Sequence, residues 1–328
     1  MMKILITGAT GFIGRNLVKA LYNEGYNVRC LVRKSSKIEE LEKLGVEIAF
    51  GDLLEPSSLE KAVEGVSIIF HTAGEVYSND PEDYDEINVK GTGNLFNAAI
   101  NKQIDRIIYF SSIAATGTMI DKKILLNENA PYNPVNAYGV SKYKAEVMAR
   151  QFCQDHKIPI VILRFPVVYG PAVSENSRVF MFIHMIRKRL YKVIGSGENI
   201  ISLCHIDNLI HGVLLAAKQK NSFGKVYLIA DKRPYTINEI VQSIAKEEEI
   251  PLSNIHIPTV LAYGLAITLL LLGKIFAFNP MLTRNLIKEA TSDWGCDISR
   301  AQKELNYQPP IEFERGLKTT VKWYMENY

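Results

Sequence analysis

The chain has 328 residues, and its 38 Lys and Arg against 35 Asp and Glu give a formal net charge of +3. With 47% hydrophobic and 22% charged residues, its composition is that of a globular protein and excludes disordered, collagen-like and disulfide-scaffold chains. Because the net charge is small and no block of basic residues occurs, a nucleic-acid partner is not expected.

The cysteines indicate a reducing compartment and no metal site. The four of them are widely separated and form no C-x-x-C pair: Cys30, Cys153, Cys204 and Cys296. The first residues resemble a strand rather than a basic segment followed by an apolar core and a cleavage site. We therefore expect a cytoplasmic protein.

Short apolar runs alternate with segments of helical periodicity through the first half of the chain. The predicted strands are 3–7, 27–32, 46–50, 67–71, 106–111 and 160–164, and the clearest helical segments are 12–22, 84–100 and 137–156. The strand cores are continuously apolar, as in strands that are buried on both faces. This alternation predicts βαβ units and therefore an α/β, doubly wound parallel Rossmann sheet.

The pattern becomes less regular after Pro171. A helix is predicted over 177–190, a glycine turn at 195–197 and a strand at 226–230, and mostly helical segments follow. We therefore expect a dinucleotide-binding domain over 1–171, to which about 203–230 returns. Residues 172–328 would then form mainly a smaller, mostly helical substrate domain.

A glycine-rich loop joins the first strand to the first helix. Its glycines, Gly8, Gly11 and Gly14, follow the spacing G-x-x-G-x-x-G. Gly8 permits a tight turn, Gly11 lets backbone N–H groups approach a pyrophosphate, and Gly14 lets the helix pack close to the strand. The helix N-terminus adds oriented N–H donors. The loop predicts a dinucleotide site.

The ends of strands two and three bear on the adenosine half of that dinucleotide. An acid that binds the ribose 2′-hydroxyl is usual after strand two, whereas this chain has Arg33, followed by Lys34. A guanidinium there suits a 2′-phosphate, which favours NADP over NAD; an exposed loop arginine is the alternative. After strand three, Asp52 is predicted to accept from the adenine amino group and Leu53 to pack on the ring. A plain turn aspartate is the alternative for Asp52.

A candidate catalytic set follows strand five. Ser112 ends that strand, and Tyr138 and Lys142 are four residues apart, one turn along the next predicted helix. An ammonium group near a phenol stabilises the phenolate and lowers its pKa from about 10. Ser112 would hold a substrate oxygen while Tyr138 donates or removes the proton as hydride moves.

Taken together, these segments resemble the extended short-chain dehydrogenase/reductase family. The motifs TGATGFIG, GDL, HTAG, NVKGTGNLFNAA, FSSIAATG, YGVSK, LRFPVVYGP and HIDNL occur in this order, and the resemblance extends through 297–309 near the C-terminus. It implies a Ser112–Tyr138–Lys142 triad and an Asn88 that supports the active-site helix. A homodimer is common in this family and is expected here.

The resemblance also implies further cofactor contacts. Thr72, Ala73 and Gly74 would line the dinucleotide, Pro166 and Val168 would lie beside the nicotinamide, and Tyr138 and Lys142 would touch its ribose. The expected cofactor-binding residues are Gly8, Thr10, Gly11, Phe12, Ile13, Gly14, Arg33, Asp52, Leu53, Thr72, Ala73, Gly74, Tyr138, Lys142, Pro166 and Val168.

Two departures from the pattern of sugar-nucleotide epimerases and dehydratases bear on the substrate. Val167 stands where those enzymes commonly have an Asn that contacts the nucleotide sugar, and Ile201 stands where they often have an Arg that clamps a diphosphate. Arg178 or Arg284 could substitute for that Arg. The chain therefore looks more like the dihydroflavonol-reductase and hydroxysteroid-dehydrogenase branch.

The segment 259–278 is unusually apolar, since 259–273 contains no charged residue. As a helix, these 15 residues span about 22 Å, too short for the ~30 Å hydrocarbon core of a bilayer. Three interpretations remain open: a buried helix or lid over an apolar substrate, a peripheral membrane contact, and a subunit interface. The first two suit a lipophilic substrate.

The leading functional hypothesis is an NADP-preferring oxidoreductase. It would transfer a hydride between NADP(H) and a carbonyl or secondary alcohol, on an apolar small-molecule substrate. The alternative is a nucleotide-sugar epimerase or dehydratase with tightly held NAD. A third reading is a dinucleotide-binding protein without catalysis, although the Tyr–Lys pair that such relatives usually lack is present here.

Overall fold

The structure is a computed structural model that describes residues 2–252, 256–276 and 283–328. Its strands are β1 (Lys3–Thr7), β2 (Asn27–Val32), β3 (Glu47–Phe50), β4 (Ile68–His71), β5 (Arg106–Ser112), β6 (Ile160–Phe165), β7 (Val167–Tyr169), β8 (Val193–Ile194), β9 (Ile200–Ile201), β10 (Leu203–His205), β11 (Val226–Leu228), β12 (Tyr235–Thr236) and β13 (His256–Ile257). The six strands predicted for the first half are all present, within two residues of the expected bounds.

Seven strands form one parallel sheet in the order β11-β6-β5-β4-β1-β2-β3. The chain builds β1, β2 and β3 in one direction and then returns to place β4 on the other side of β1. The fold is therefore the expected doubly wound Rossmann sheet, and the point at which the strand order reverses lies between β1 and β4.

Alternate residues of each central strand enter two different cores. Ile4 and Ile6 pack with Phe70 on one face of the sheet, whereas Leu5 packs with Ile69 on the other. Both faces are covered by helices, which is why these strands consist almost entirely of apolar residues. The two cores hold the strand ends rigidly, and the loops at those ends carry the predicted site.

The helices are α1 (Phe12–Asn23), α2 (Glu39–Leu44), α3 (Pro56–Ala62), α4 (Pro81–Tyr84), α5 (Thr92–Ala99), α6 (Ala137–Asp155), α7 (Arg178–Arg187), α8 (Ile206–Lys218), α9 (Ile237–Glu247), α10 (Thr259–Phe276), α11 (Arg284–Thr291), α12 (Ser299–Leu305) and α13 (Phe313–Asn327). The single helix predicted over 84–100 is instead α4, a π-helical turn at Asp85–Gly91 and α5. Helix α7 ends before the predicted residue 190, because Arg189 has a positive φ of 57°.

The second half of the chain returns to the sheet and then leaves it. Strand β11 pairs with β6, and three further two-stranded sheets are β10-β7, β12-β9 and β13-β8. The division into domains at residue 171 stays a prediction. Among the residues that the structure describes, no helix is long and apolar enough to cross a membrane.

Candidate active site

The glycine loop lies at the point where the strand order reverses. Gly8 follows β1 with a φ of +72°, and a Cβ there would come within 2.8 Å of both Ala73 N and Thr72 Oγ1. A side chain at Gly14 would overlap the Gly8 carbonyl. The loops after β1 and β4 therefore touch each other, and α1 starts directly against the strand end.

The first turn of α1 offers unused amide groups toward this crevice. Gly11 is the N-cap and has no side chain to cap the helix; its own N–H donates to Gly8 O at 3.0 Å. The N–H groups of Phe12, Ile13 and Gly14 have no acceptor within a helix that begins at Phe12. Such a cluster of donors at a helix N-terminus suits the pyrophosphate of a dinucleotide.

A buried histidine joins the two loops. Ala73 N donates to Thr7 Oγ1 at 3.3 Å, the Thr7 hydroxyl and His71 Nδ1 share a hydrogen bond at 2.7 Å, and His71 Nε2 and the Thr92 hydroxyl share another at 2.9 Å. Burial, together with the charge of Lys142, lowers the pKa of His71 to about 3. His71 is therefore a neutral connector, which the sequence analysis did not single out although its motif HTAG contains it.

The predicted adenosine-binding residues lie at two adjacent strand ends. Val32 of β2 pairs with Phe50 of β3, which brings Arg33 and Asp52 to the same edge of the sheet. Arg33 is exposed, whereas Leu53 is buried in the core. Asp52 Oδ1 accepts from Leu54 N at 2.9 Å, so this carboxylate closes a local turn with one oxygen. Arg33 is free to reach a ligand.

The side chain of Ser112 lies near the phenol of Tyr138 and lowers its pKa, against the larger effect of burial. Ser112 Oγ also accepts from Ala114 N at 3.1 Å, which fixes it at the end of β5. Gly139 brings the start of α6 against Ala114, since a Cβ at Gly139 would overlap the Ala114 carbonyl. Asn136 Oδ1 caps the same helix by accepting from Gly139 N at 2.7 Å. These contacts place the phenol of Tyr138 beside the serine.

Lys142 is buried one turn beyond Tyr138. Its ammonium donates to Phe110 O at 2.7 Å and lies 4.8 Å from the centre of the Tyr109 ring. Burial lowers the pKa of Lys142 to about 8, although Glu146 raises it in part. The lysine is thus held by the backbone of β5 rather than by the phenol.

The pKa of Tyr138 differs from the expectation. The Tyr–Lys spacing predicted a lowered pKa, whereas burial raises it to about 12 against an opposing hydrogen bond from Ser112. The physical reason is that desolvation penalises the phenolate and that the ammonium of Lys142 bonds to Phe110 O. At neutral pH Tyr138 therefore carries its proton.

Asn88 connects the loop after β4 to α6, the helix that carries Tyr138 and Lys142. From the π-helical turn, its amide Nδ2 donates to Ser141 Oγ and to Glu75 O, both at 2.9 Å, and its Oδ1 accepts from Glu75 N at 2.8 Å. A Cβ at Gly74 would lie 2.9 Å from that same Oδ1. The geometry agrees with the supporting role that the resemblance implies.

The predicted nicotinamide side follows β6. Pro166 is buried between β6 and β7, and Val168 is half-buried and pairs with Cys204. Because Phe165 pairs with Ser112 across β6 and β5, this turn lies next to the serine. The structure thus brings the predicted nicotinamide contacts and the predicted catalytic serine to neighbouring strand ends.

A cluster of polar side chains lies near Tyr138, and of its members the sequence indicated only Arg178. Glu289 of α11 accepts from Asn136 Nδ2 at 2.9 Å and lies 3.9 Å from the guanidinium of Arg178. Burial lowers the pKa of Arg178. The Tyr84 and Tyr138 rings meet edge to face, 6.0 Å between centres. Sequence spacing could not reveal this group, because its members come from four distant segments.

The two positions that bear on substrate lie in different surroundings. Ile201 is 1% exposed, pairs with Tyr235 and bridges to Trp294, so its side chain belongs to the core. Val167 is half-buried at the start of β7. Among the described residues, no group of three or more His, Cys, Asp or Glu side chains is arranged to hold a metal ion.

Comparisons with known proteins agree with this geometry. The NAD dependent epimerase/dehydratase family matches residues 4–230. A UDP-glucose 4-epimerase of Vibrio cholerae is 28% identical over 98% of this chain and 95% of its own. A 2-alkyl-3-oxoalkanoate reductase of Shewanella oneidensis is 29% identical over 95% and 84%. The crystal structure of gox2253 superposes with a TM-score of 0.86 at 26% identity, over 99% and 98%. The chain belongs to the NAD-dependent epimerase/dehydratase family.

Proposed function

We propose that this protein is an NADP-preferring oxidoreductase that transfers a hydride between NADP(H) and a carbonyl or secondary alcohol of an apolar substrate. The observation that carries the proposal is the proximity of Ser112 to the buried phenol of Tyr138, with buried Lys142 one turn away on the same helix. The likeness to a 2-alkyl-3-oxoalkanoate reductase supports it.

The residues present suit a nicotinamide dinucleotide, through the open amides of α1 and the close-packed loops after β1 and β4. Such a cofactor, when bound, supplies or accepts the hydride. Ser112 donates a hydrogen bond to the substrate oxygen and orients it toward Tyr138. Tyr138 gives its proton to that oxygen as its charge develops during reduction. A pKa of about 12 keeps the proton available at neutral pH.

Lys142 supplies positive charge next to Tyr138. Once the phenol has given up its proton, an ammonium on the same helix face stabilises the phenolate more than neutral surroundings would. Because burial lowers the pKa of Lys142 to about 8, this support is present at neutral pH and is lost as the pH rises above 8. Lys142 is therefore an electrostatic partner of the acid rather than the acid itself.

Arg33 supports the preference for NADP. It is exposed after β2, and within the described residues its guanidinium has no carboxylate partner. A guanidinium there would pair with a 2′-phosphate through charge-assisted hydrogen bonds. The apolar substrate is supported by Ile201, which fills the core at the position where an arginine would clamp a diphosphate, and by the aromatic ring of Tyr84 beside Tyr138.

The test combines cofactor identification with one substitution. The protein is purified without added nucleotide, denatured, and any released dinucleotide is identified by mass spectrometry. An empty protein that binds NADPH better than NADH supports the proposal. Reduction of 3-oxoalkanoates and other apolar ketones is then followed by loss of NADPH absorbance. Tyr138→Phe should lower kcat by about 10²–10⁴-fold, whereas Tyr143→Phe on the same helix should not; equal turnover by both variants would refute the role of Tyr138.

A nucleotide-sugar epimerase or dehydratase with tightly held NAD is the second candidate. The likeness to a UDP-glucose 4-epimerase favours it, and so does Arg178, a desolvated cation near the catalytic tyrosine that could meet a diphosphate. Near-stoichiometric NAD released from the denatured protein, together with conversion of a UDP-sugar without net NADPH loss, would establish this candidate instead.

Two properties of the whole molecule remain proposals. We propose a homodimer, as the family resemblance suggests, and a cytoplasmic location, as the four free cysteines suggest. Light scattering during size-exclusion chromatography measures the mass, and an expected dimer is about twice 36.9 kDa. Cell fractionation tests the location.

A further inference from the structure

Helix α10 turns large apolar side chains outward. Over residues 259–272 it carries no charge, and six of its aliphatic residues are between 38% and 81% exposed. These are Val260, Leu261, Leu265, Ile267, Leu271 and Leu272. A helix on a water-exposed surface normally carries polar and charged residues on that side. Among the three interpretations, a helix that the rest of the protein covers does not fit these exposures. Residues 277 and 278 of the predicted segment lie outside the described residues.

The attachment of α10 to the rest of the protein is narrow. Ala262 and Ala266, one turn apart, are buried against Ile287 of α11, with Ile194 and Ile257 beside them. Among its described residues, the helix thus packs through two alanines and Tyr263 and leaves most of its larger aliphatic side chains exposed. This is the reverse of the pattern that would maximise apolar burial in an isolated water-soluble protein. A large contiguous apolar face of this kind marks a contact surface.

The neighbouring helix adds positive charge. Arg284 and Lys288 are exposed on α11, one turn apart, and within the described residues neither has a carboxylate partner. Ile287, between them in sequence, is the residue that packs on α10, so the two cations stand beside the apolar face. Leu286 of the same helix is also exposed. An apolar face flanked by unpaired cations matches the interface of an anionic membrane.

We propose that α10 binds the surface of an anionic membrane and inserts its exposed aliphatic side chains at the boundary between headgroups and acyl chains. Arg284 and Lys288 contact the lipid phosphates. The 18 residues of α10 rise about 27 Å, which is shorter than the ~30 Å hydrocarbon core. The helix therefore lies along the membrane rather than across it.

The same contact would bring the candidate active site to the lipid. Helix α11 carries Glu289, whose carboxylate binds Asn136, the cap of the helix that bears Tyr138. The α10–α11 pair thus adjoins the catalytic tyrosine. Delivery of an apolar substrate from the membrane rests on the proposed function, whereas membrane binding itself does not.

Flotation of the full chain with lipid vesicles tests the proposal. One set of vesicles contains equal parts phosphatidylglycerol and phosphatidylcholine, and the other contains phosphatidylcholine alone. We expect flotation with the anionic set. The double variant Leu261→Glu/Leu265→Glu should weaken binding more than about a hundredfold, and Arg284→Gln/Lys288→Gln by about 25-fold on anionic vesicles, since each cation contributes about fivefold.

The matched control is Ile120→Glu/Ile124→Glu, which places the same charges on two other exposed aliphatic residues and should float like the parent. Thermal unfolding and NADPH binding of each variant show that it is folded. A parent chain that stays with the soluble fraction overturns the proposal, and so does equal flotation of the Leu261→Glu/Leu265→Glu variant. If the parent is a dimer that does not float and the Leu261→Glu/Leu265→Glu variant is a monomer, the exposed apolar face of α10 binds a second copy of this chain instead. Ketone reduction is measured separately on a water-soluble substrate, so its failure would not be confused with failure of membrane binding.

Discussion

Glu146 is a buried carboxylate that links the stability of the fold to Lys142 of the proposed catalytic set. It lies on the same face of α6 as Lys142, one turn further along. Arg164 binds it in a fork, Nε to Oε1 at 2.9 Å and Nη2 to Oε2 at 2.7 Å, and both side chains are at most 1% exposed. The hydroxyls of Ser111 and Tyr132 donate to its two oxygens at 2.6 and 2.8 Å.

Replacing Glu146 with Gln keeps the shape of the side chain and removes its charge. The guanidinium of Arg164 then remains buried without a counter-charge, and breaking a buried pair in this way costs about 3–5 kcal/mol. A domain is typically stable by about 5–15 kcal/mol, so the loss would be large. Urea unfolding followed by circular dichroism measures it. An exposed pair between the same helix and the π-helical turn, Lys144 with Asp85, gives the control: Asp85→Asn should cost less than about 1 kcal/mol.

The same substitution should move the pH dependence of the reaction. Glu146 raises the pKa of Lys142 against the effect of burial, so its removal lowers that pKa further below about 8. The charged form of Lys142 is present below its pKa and is lost as the pH rises through it. The alkaline fall of kcat for reduction should therefore begin at lower pH in Glu146→Gln than in the parent, measured between pH 6 and 9.

Either of two results would refute this reasoning. One is a Glu146→Gln protein that unfolds within about 1 kcal/mol of the parent, and the other is an alkaline limb that does not move. If the variant cannot be obtained folded, Glu146→Leu combined with Arg164→Met removes both charges. This apolar pair should recover most of the lost stability, because apolar residues of similar volume often replace buried ion pairs at little cost. Continued failure of the double variant to fold would also count against the argument.

Three further substitutions test the cofactor site and the packing around it. Arg33→Asp should weaken NADPH binding by roughly tenfold to a hundredfold in fluorescence titrations, because a hydrogen bond to a charged group contributes about 1.5–3 kcal/mol. NADH binding by this variant should change little, and so should NADPH binding by a Lys43→Asp control. Gly14→Ala should cost about 1–3 kcal/mol and weaken both dinucleotides, because its Cβ meets the Gly8 carbonyl. Gly264→Ala, where an added Cβ meets no atom within 4 Å, should instead stabilise the protein by about 0.5–1 kcal/mol in thermal unfolding.

The sequence predicts the central sheet well because burial on both faces leaves a clear pattern. Ile4, Leu5 and Ile6 face two different cores, so the central positions of β1 are all apolar, and the same holds for the central positions of β4 and β5. The rule of right-handed crossovers then limits the strand orders that such units can adopt. Ser112 and Tyr138 lie near each other, as the Tyr–Lys helix after strand five predicts.

Features that depend on tertiary contacts were not predictable in the same way. The π-helical turn at Asp85–Gly91 does not appear in the helical periodicity, although it is what presents Asn88 to Ser141. The contact of Asn136 with Glu289 joins residues 153 positions apart. Helix α10 shows the limit most clearly, since apolar periodicity cannot distinguish a helix that is covered by protein from one that is left exposed.

The two pKa shifts on helix α6 have one cause and bear on the proposed reaction. Burial opposes charge on both side chains, so it raises the pKa of Tyr138 to about 12 and lowers that of Lys142 to about 8. Below pH 8 the site therefore holds a protonated phenol beside an ammonium group, which is the state needed to donate a proton to a carbonyl oxygen. Oxidation of an alcohol needs the phenolate, which this environment disfavours until another positive charge lies close by. The protonation states of both side chains at neutral pH are thus those that the proposed reduction needs, whereas the reverse oxidation would need the charge that an oxidised nicotinamide brings.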